Sequence, residues 1–240
     1  MRPYPRFVGA TARVVRHMRG TDVPAATIRS REGLGERVVA LTFDDGPSDW
    51  TEPILDTLRD AGAHATFFVV GDAVRGREGT LRRMVAEGHE VGNHTMRHPW
   101  LDEVRRRTVR RELEEANRVI AGVIGARPTA FRPPSFRRNV AVLEVARSLG
   151  FDPVVLASAH TNDHDCDDAE AIVAAILPSV SPGAIIDLHD GRPPGDPPAA
   201  VGGTRDDRWP TVRAVPLLLS ALPDYRFVTV SDLLARPSSP

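Results

Sequence analysis

The sequence predicts an α/β fold of parallel β/α units, open or closed into a barrel. Short β-branched and aromatic runs alternate with stretches of helical spacing along the chain. No internal repeat of roughly 20–50 residues is visible, and 240 residues suit a single domain of this kind. Hydrophobic residues at 41% and charged residues at 26% are ordinary globular usage, which excludes a disordered or fibrous chain.

Residues 1–34 lack a strong pattern, run into Gly33 and Gly35, and read as an N-terminal arm; 35–236 form the domain and 237–240 a tail. Arg37 to Phe43 is a strand that stops at Asp44-Asp45-Gly46-Pro47, a turn. Ile54, Leu55 and Leu58 give Thr51 to Asp60 helical spacing, closed by Gly62. Ala65 to Val70 is a second strand, Thr80 to Glu87 a helix, and His89 to Val91 a short strand. Leu101 to Gly122 reads as a long helix with opposite charges four apart, such as Arg110 with Glu114 and Arg111 with Glu115. A helix over Asn139 to Leu149, a strand over Val154 to Leu156, an acid-rich loop and a helix over Asp168 to Leu177 follow. Ala184 to Leu188 is a buried strand, Pro193 to Gly203 a Pro/Gly loop, Val212 to Ala221 a helix and Arg226 to Val230 a last strand.

In such folds the working residues sit beyond the C-terminal ends of the strands. That places Asp44, Asp45, His94, His98, Arg132, Asp163, Asp165 and His189 on one rim. His94-Thr-Met-Arg-His98 spaces two imidazoles by four, so on one helical turn both can grip a metal. Asp45 offers a third ligand, and two His with one carboxylate leave coordination positions open for catalysis. Adjacent strand residues point to opposite faces, so Asp44 and Asp45 divide roles: one binds metal, the other handles a proton. The paired-carboxylate glycosidase geometry does not fit them.

These segments resemble signature motifs of the polysaccharide deacetylases of carbohydrate esterase family 4, the NodB homology domain. Thr42-Phe-Asp-Asp-Gly-Pro47 resembles the first motif, His94-Thr-Met-Arg-His98 the second, Phe131-Arg-Pro-Pro134 the third and Leu188-His189-Asp190 the fifth, in order, over about Arg37 to Leu234. The resemblance implies a single-domain distorted (β/α) barrel that removes N- or O-acetyl groups from sugars. It implies that Asp45, His94 and His98 hold one divalent metal, zinc by preference with cobalt or nickel able to substitute. Asp44 becomes the base for the attacking water, with Arg132 pairing with it and keeping it ionised. His189 becomes the acid that protonates the departing amine, oriented by Asp165. The metal and the Ser135 N–H stabilise the oxyanion.

Three departures from the family pattern stand out. Ser135-Phe136 replaces Tyr-Gly, Asp165-Cys166 replaces Asp-Trp, and Asp187 precedes Leu188-His189 where relatives carry Leu. Since that Trp and Leu form the apolar acetyl pocket in relatives, Asp187 and Cys166 are expected to rewrite it. Two pictures of Asp187 follow: a carboxylate facing the acyl group, or one paired with a neighbouring Arg. Cys166 by default is one small buried residue, and His164, among Asp163, Asp165, Asp167 and Asp168, reads as part of a solvated acidic loop.

The leading expectation is a metal-dependent hydrolase of linear amides, acting on an acetylated amino sugar or oligosaccharide. The same mechanism on a small non-sugar amide, imide or formyl substrate is the second reading, and an inert carbohydrate-binding module the third. A binding module has no need of Asp44 or His189. The 31 basic residues, all arginine, balance 32 acidic ones, so there is no nucleic-acid footprint. No stretch approaches the ~18 apolar residues of a membrane span. The N-terminus lacks the roughly 7–15-residue apolar core of a secretory signal, which reads as cytoplasmic, or as secreted if the N-terminus was trimmed.

Overall fold

The computed structural model describes residues 25–193 and 207–237. Its elements run β1 (Thr27–Ile28), β2 (Val38–Asp44), α1 (Thr51–Asp60), β3 (Thr66–Val69), α2 (Glu78–Ala86), β4 (Glu90–Asn93), α3 (Arg106–Ile124) and α4 (Val140–Ser148). They continue with β5 (Val154–Val155), β6 (Ala159–His160), α5 (Ala169–Ile176), β7 (Ile185–His189), α6 (Trp209–Ala221), β8 (Arg226–Val228) and α7 (Val230–Leu234). A parallel sheet runs β4-β3-β2-β7-β6, with β8 on the first half of β2 and β3 on its second half. The Asn93–Phe131 bridge and the bond from Val155 N–H to Phe131 O lead from β4 to the β1–β5 pair. This is the expected α/β fold, a parallel sheet with outer helices in a distorted barrel.

Strand β2 is buried at all seven positions, as a central parallel strand must be. Its two faces differ. Val39, Leu41 and Phe43 pack outward on Ile54, Leu55 and Leu58 of α1 and on Ala214, Val215 and Leu218 of α6. Burying each such Leu or Ile contributes about 1.5–3 kcal/mol. Val38 and Ala40 face inward with Phe68, Ile185 and Val228. The period of two carries that inner face on to Thr42 and Asp44. Register sets Thr42 beside Asp187 and Asp44 beside His189, so the inner face turns polar at the C-terminal rim.

Local chemistry explains the ends. Asn139 caps α4 by accepting from Val142 N–H at 3.0 Å, and Asp168 caps α5 by accepting from Glu170 N–H at 2.9 Å. Helix α3 starts at Arg106 because residues 101–104 form turns instead. The last apolar run divides: β8 stops at Val228, and Thr229 caps α7 by accepting from Asp232 N–H at 3.1 Å. The inner end of the predicted arm belongs to the fold, since Ala25 is buried and β1 pairs with β5. The Pro/Gly loop beyond residue 193 and residues 238–240 of the tail lie outside the described residues. No helix among the described residues is long and apolar enough to cross a membrane.

Candidate metal and proton-transfer site

Asp44 and Asp45 both reach the site, contrary to strict alternation. Asp45 lies past the end of β2 with φ 75°, a left-handed turn that swings its side chain back to the same rim. The next residue must be glycine, because a Cβ at Gly46 would run into the Asp190 carboxylate. His94 to His98 is not a helical turn either. It is a loop after β4 with Thr95 at φ 72° and His98 at φ 58°, and this bend brings the two rings to 5.0 Å. Such backbone persists only where neighbours over-determine it. Here Asn93 Oδ1 accepts from Thr95 N–H at 2.7 Å, while Asn93 Nδ2 donates to Leu113 O and Asn117 Oδ1 on α3. The Arg97 N–H donates to the buried Glu112 carboxylate at 2.8 Å, and His98 N–H to Thr95 Oγ1 at 2.9 Å.

Asp45, His94 and His98 bring one ligand atom each within 4.8 Å of one another. Asp45 Oδ1 lies 3.5 Å from His94 Nε2 and 3.2 Å from His98 Nε2. Among the described residues it is buried with no hydrogen-bond partner, a costly state for a carboxylate oxygen unless a cation completes it. His94 Nδ1 donates to the Arg132 carbonyl at 2.8 Å, which leaves Nε2 as the lone-pair nitrogen. Burial, then His98 beside it, holds His94 well below the ordinary imidazole range, so the ring is neutral as a ligand must be. Asp44 and Asp187 share the guanidinium of Arg132, and Asp45 lies against the two imidazoles. The donor set, two imidazole nitrogens and one carboxylate oxygen, fits a divalent cation.

Arg132 is fully buried and ties the inner rim together. Its Nη1 lies 2.8 Å from Asp44 Oδ1, 2.8 Å from Thr42 Oγ1 and 2.5 Å from Asp187 Oδ1. The Asp44 pairing is the expected one. Burial still pushes the Asp44 carboxyl well above its ordinary range, with Arg132 pulling the other way and Asp187 adding to the rise. A carboxylate held there is a stronger base than a solvated one. Asp187 shares the guanidinium with Asp44, so of its two pictures the structure has the paired one. Phe136 lies over the same guanidinium at 5.6 Å. Ser135 is exposed at the rim, and it and Phe136 are both left-handed, at φ 51° and 56°, which aims the Ser135 backbone unlike an ordinary turn.

The orienting carboxylate for His189 is Asp163, not Asp165. Asp163 Oδ1 lies 2.7 Å from His189 Nδ1, and Asp163 Oδ2 accepts from His189 N–H at 2.9 Å and from Thr211 Oγ1 at 2.8 Å. The one-turn 3₁₀ helix Asp163–Asp165 buries its first residue and leaves Asp165 outside, 58% exposed and 3.8 Å from His164 Nε2. Burial, the largest single influence, would depress His189, yet the carboxylates around it, Asp163 first and then Asp187 and Asp45, together hold the imidazole well above its ordinary range. Cys166 is half-buried against the core, with Sγ 3.4 Å from the Asp168 carbonyl. The residue that follows the orienting aspartate is His164. It is not solvated loop; its ring meets His189 edge to face at 4.8 Å.

Sequence reasoning passed over Asp163 as the orienting group, as well as His164, Thr211, Asn93, Asn117 and Glu112. The rim held both Asp163 and Asp165, the resemblance favoured Asp165, and the 3₁₀ turn is what sets Asp163 against the ring instead. Thr211 carries no local signal at all, being 48 residues from its partner.

The family model for polysaccharide deacetylase matches residues 31–154. A chitooligosaccharide deacetylase of Sinorhizobium fredii is 42% identical over 200 residues, covering 82% of this chain and 91% of that protein. The peptidoglycan deacetylase PdaC of Bacillus subtilis superposes with a TM-score of 0.71 at 32% identity, covering 83% of this chain and 91% of that one. A family 4 acetyl xylan esterase of Clostridium thermocellum, solved with a cobalt ion, also superposes with a TM-score of 0.71 at 32% identity, covering 82% and 90%.

Proposed function

This chain belongs to the polysaccharide deacetylase family, and from that premise we propose that it hydrolyses the N-acetyl group of an amino sugar or its oligomer. The observation that carries this reading is the buried, unpartnered Asp45 Oδ1 facing two imidazoles, with Asp44 and His189 alongside. Asp45, His94 and His98 would hold one divalent cation, for which zinc is proposed because two nitrogens and one oxygen suit it. When bound, that ion supplies a Lewis acid that polarises the amide carbonyl and makes water more acidic.

The chain's own residues supply the rest. Asp44, raised by burial and fixed by Arg132, takes the proton from the attacking water. The Ser135 N–H, presented by the left-handed pair after Pro134, donates to the carbonyl oxygen as it gains charge. His189, held protonated by Asp163, delivers a proton to the nitrogen as the C–N bond breaks. Thr211 fills the remaining demand of Asp163 and keeps that carboxylate from rotating. The non-sugar reading draws on Asp187, Cys166 and the N-terminal sequence; Asp187 is paired with Arg132 and Cys166 Sγ is turned to the Asp168 carbonyl, which weakens its first two supports.

The test is amine release from N-acetyl chitooligosaccharides by protein stripped with a chelator and then reloaded. Turnover should vanish on stripping and return with about one equivalent of zinc. Full-rate turnover by metal-free protein, or none by the loaded protein, contradicts the proposal.

A further inference from the structure

Among the described residues Trp100 is a large apolar side chain left open to solvent, 51% exposed. Its neighbour Leu101 is fully buried in one cluster with Val109 and Phe131, which anchors the turn and leaves the indole outside. The Arg137 guanidinium lies over the ring, 4.3 Å from its centroid. Arg137 is itself held by Asp102 at 2.8 Å and Glu103 at 2.6 Å, the residues just beyond this turn. One face of the indole is therefore covered by a fixed cation, and the ring has a set position.

That position is at the mouth of the site. His98 stands two residues before Trp100, so no more than about 7 Å of chain separates them. Arg137 stands two residues after Ser135, so the stacked pair joins the loop of a proposed metal ligand to the loop of the proposed oxyanion donor. Asp44, Asp45, His94 and Arg132 are buried, and the site reaches solvent at Ser135, which is exposed, and at His98 and His189, which are partly so. Two of those three openings lie on the loops that carry Trp100 and Arg137.

We propose that Trp100 is a sugar-binding residue: it stacks on a neighbouring pyranose of the oligomer whose N-acetyl group reacts, and so selects oligomers over the single amino sugar. This rests on the amide-hydrolysis reading above. A pyranose presents a face of C–H bonds, which the negative face of an indole attracts while both shed water. Arg137 takes one face of the ring, and the exposed remainder is what the sugar meets. Because the ring is already fixed, little side-chain freedom is lost when the sugar arrives.

The experiment compares N-acetyl chitotetraose, N-acetylglucosamine and an activated acetate ester as substrates of the zinc-loaded chain, in wild type, Trp100→Ala and Trp100→Phe. Wild type should favour the tetraose over the monosaccharide in kcat/KM. Trp100→Ala should raise KM for the tetraose roughly tenfold with little change in kcat, the signature of lost binding in a stacked contact. The loss should be confined to the tetraose, since the other two substrates have no neighbouring sugar. Trp100→Phe, which keeps an aromatic face, should retain most of the tetraose affinity. A tetraose KM that Trp100→Ala leaves unmoved, or an equal loss on every substrate, overturns the inference while amide hydrolysis stands. Turnover of neither sugar by the loaded wild type overturns the hydrolytic reading, and this inference with it.

Discussion

His94 and His189 close opposite sides of one rim, and both commit Nδ1 to an oxygen, yet they are built for opposite charge states. His94 gives its Nδ1 hydrogen to a carbonyl, that of Arg132, and burial then keeps the ring neutral. His189 faces the Asp163 carboxylate, whose charge and hydrogen bond, with Asp187 and Asp45 adding to them, override the same burial and keep the ring protonated. Their surroundings differ in the same sense. Beside His94 an Asp45 oxygen is left without a partner, while beside His189 both oxygens of Asp163 are filled. Beside His94 the open oxygen faces two imidazoles and so has the donors of a cation site, while the filled Asp163 keeps a proton on His189.

The largest expected effect comes from removing each ring in turn. His94→Ala should drop bound zinc below ~0.2 equivalent and abolish turnover, because two remaining ligands hold the ion poorly. His189→Ala should keep zinc near the wild-type level and lower kcat by roughly 10²–10⁴-fold on N-acetyl substrates, the worth of a positioned acid. Elemental analysis beside the rates separates the two. Equal metal loss in both variants breaks the comparison.

Asp163→Asn sharpens it with a smaller effect. Without the carboxylate charge His189 loses its proton at lower pH, so the alkaline limb of the kcat/KM profile should move to lower pH. The rate should fall roughly 10–100-fold, and much less for an activated acetate ester that leaves without a proton. A limb that stays in place means that Asp163 only fixes the ring's orientation.

The smallest effect concerns a third histidine that completes the series. His89 Nδ1 accepts from Ala65 N–H at 3.2 Å, Nε2 has no partner, and burial lowers its pKa to about 4. The unfolded ring titrates near 6.5, so the folded state binds fewer protons between those values. Its stabilising share is therefore whole above pH ~6.5 and lost as pH falls toward ~4, up to about 3 kcal/mol. His89→Asn, which keeps an acceptor but cannot titrate, should flatten the loss of Tm over this range. An unchanged acid slope assigns the pH dependence to other groups.

How much of this was legible follows from how local each cause is. The strands and most helices follow from periodicity, since Ile54, Leu55 and Leu58 or the run from Val38 to Phe43 declare their buried faces in the sequence. Asp44, Asp45, His94, His98, Arg132 and His189 were found because they end strands or sit at ligand spacing, and the structure gathers them on one rim. The routes differ, though. Alternation and helical spacing both failed at the site, where Asp45, Thr95, His98, Ser135 and Phe136 take left-handed backbone held by distant partners such as Asn117 and Glu112. The choice of Asp163 over Asp165 depends on one 3₁₀ turn, and with it shifts the reading from Cys166 to His164. Long-range contacts of this kind leave no periodic trace.

The most direct measurement is the protonation of the two rim histidines, read from ¹⁵N NMR shifts of the assigned imidazoles in the zinc-loaded protein at pH 7. The account predicts His94 with a proton on Nδ1 alone and Nε2 shifted by the ion, and His189 with protons on both nitrogens. A neutral His189, or a His94 whose Nε2 shift is the same with and without zinc, would contradict it.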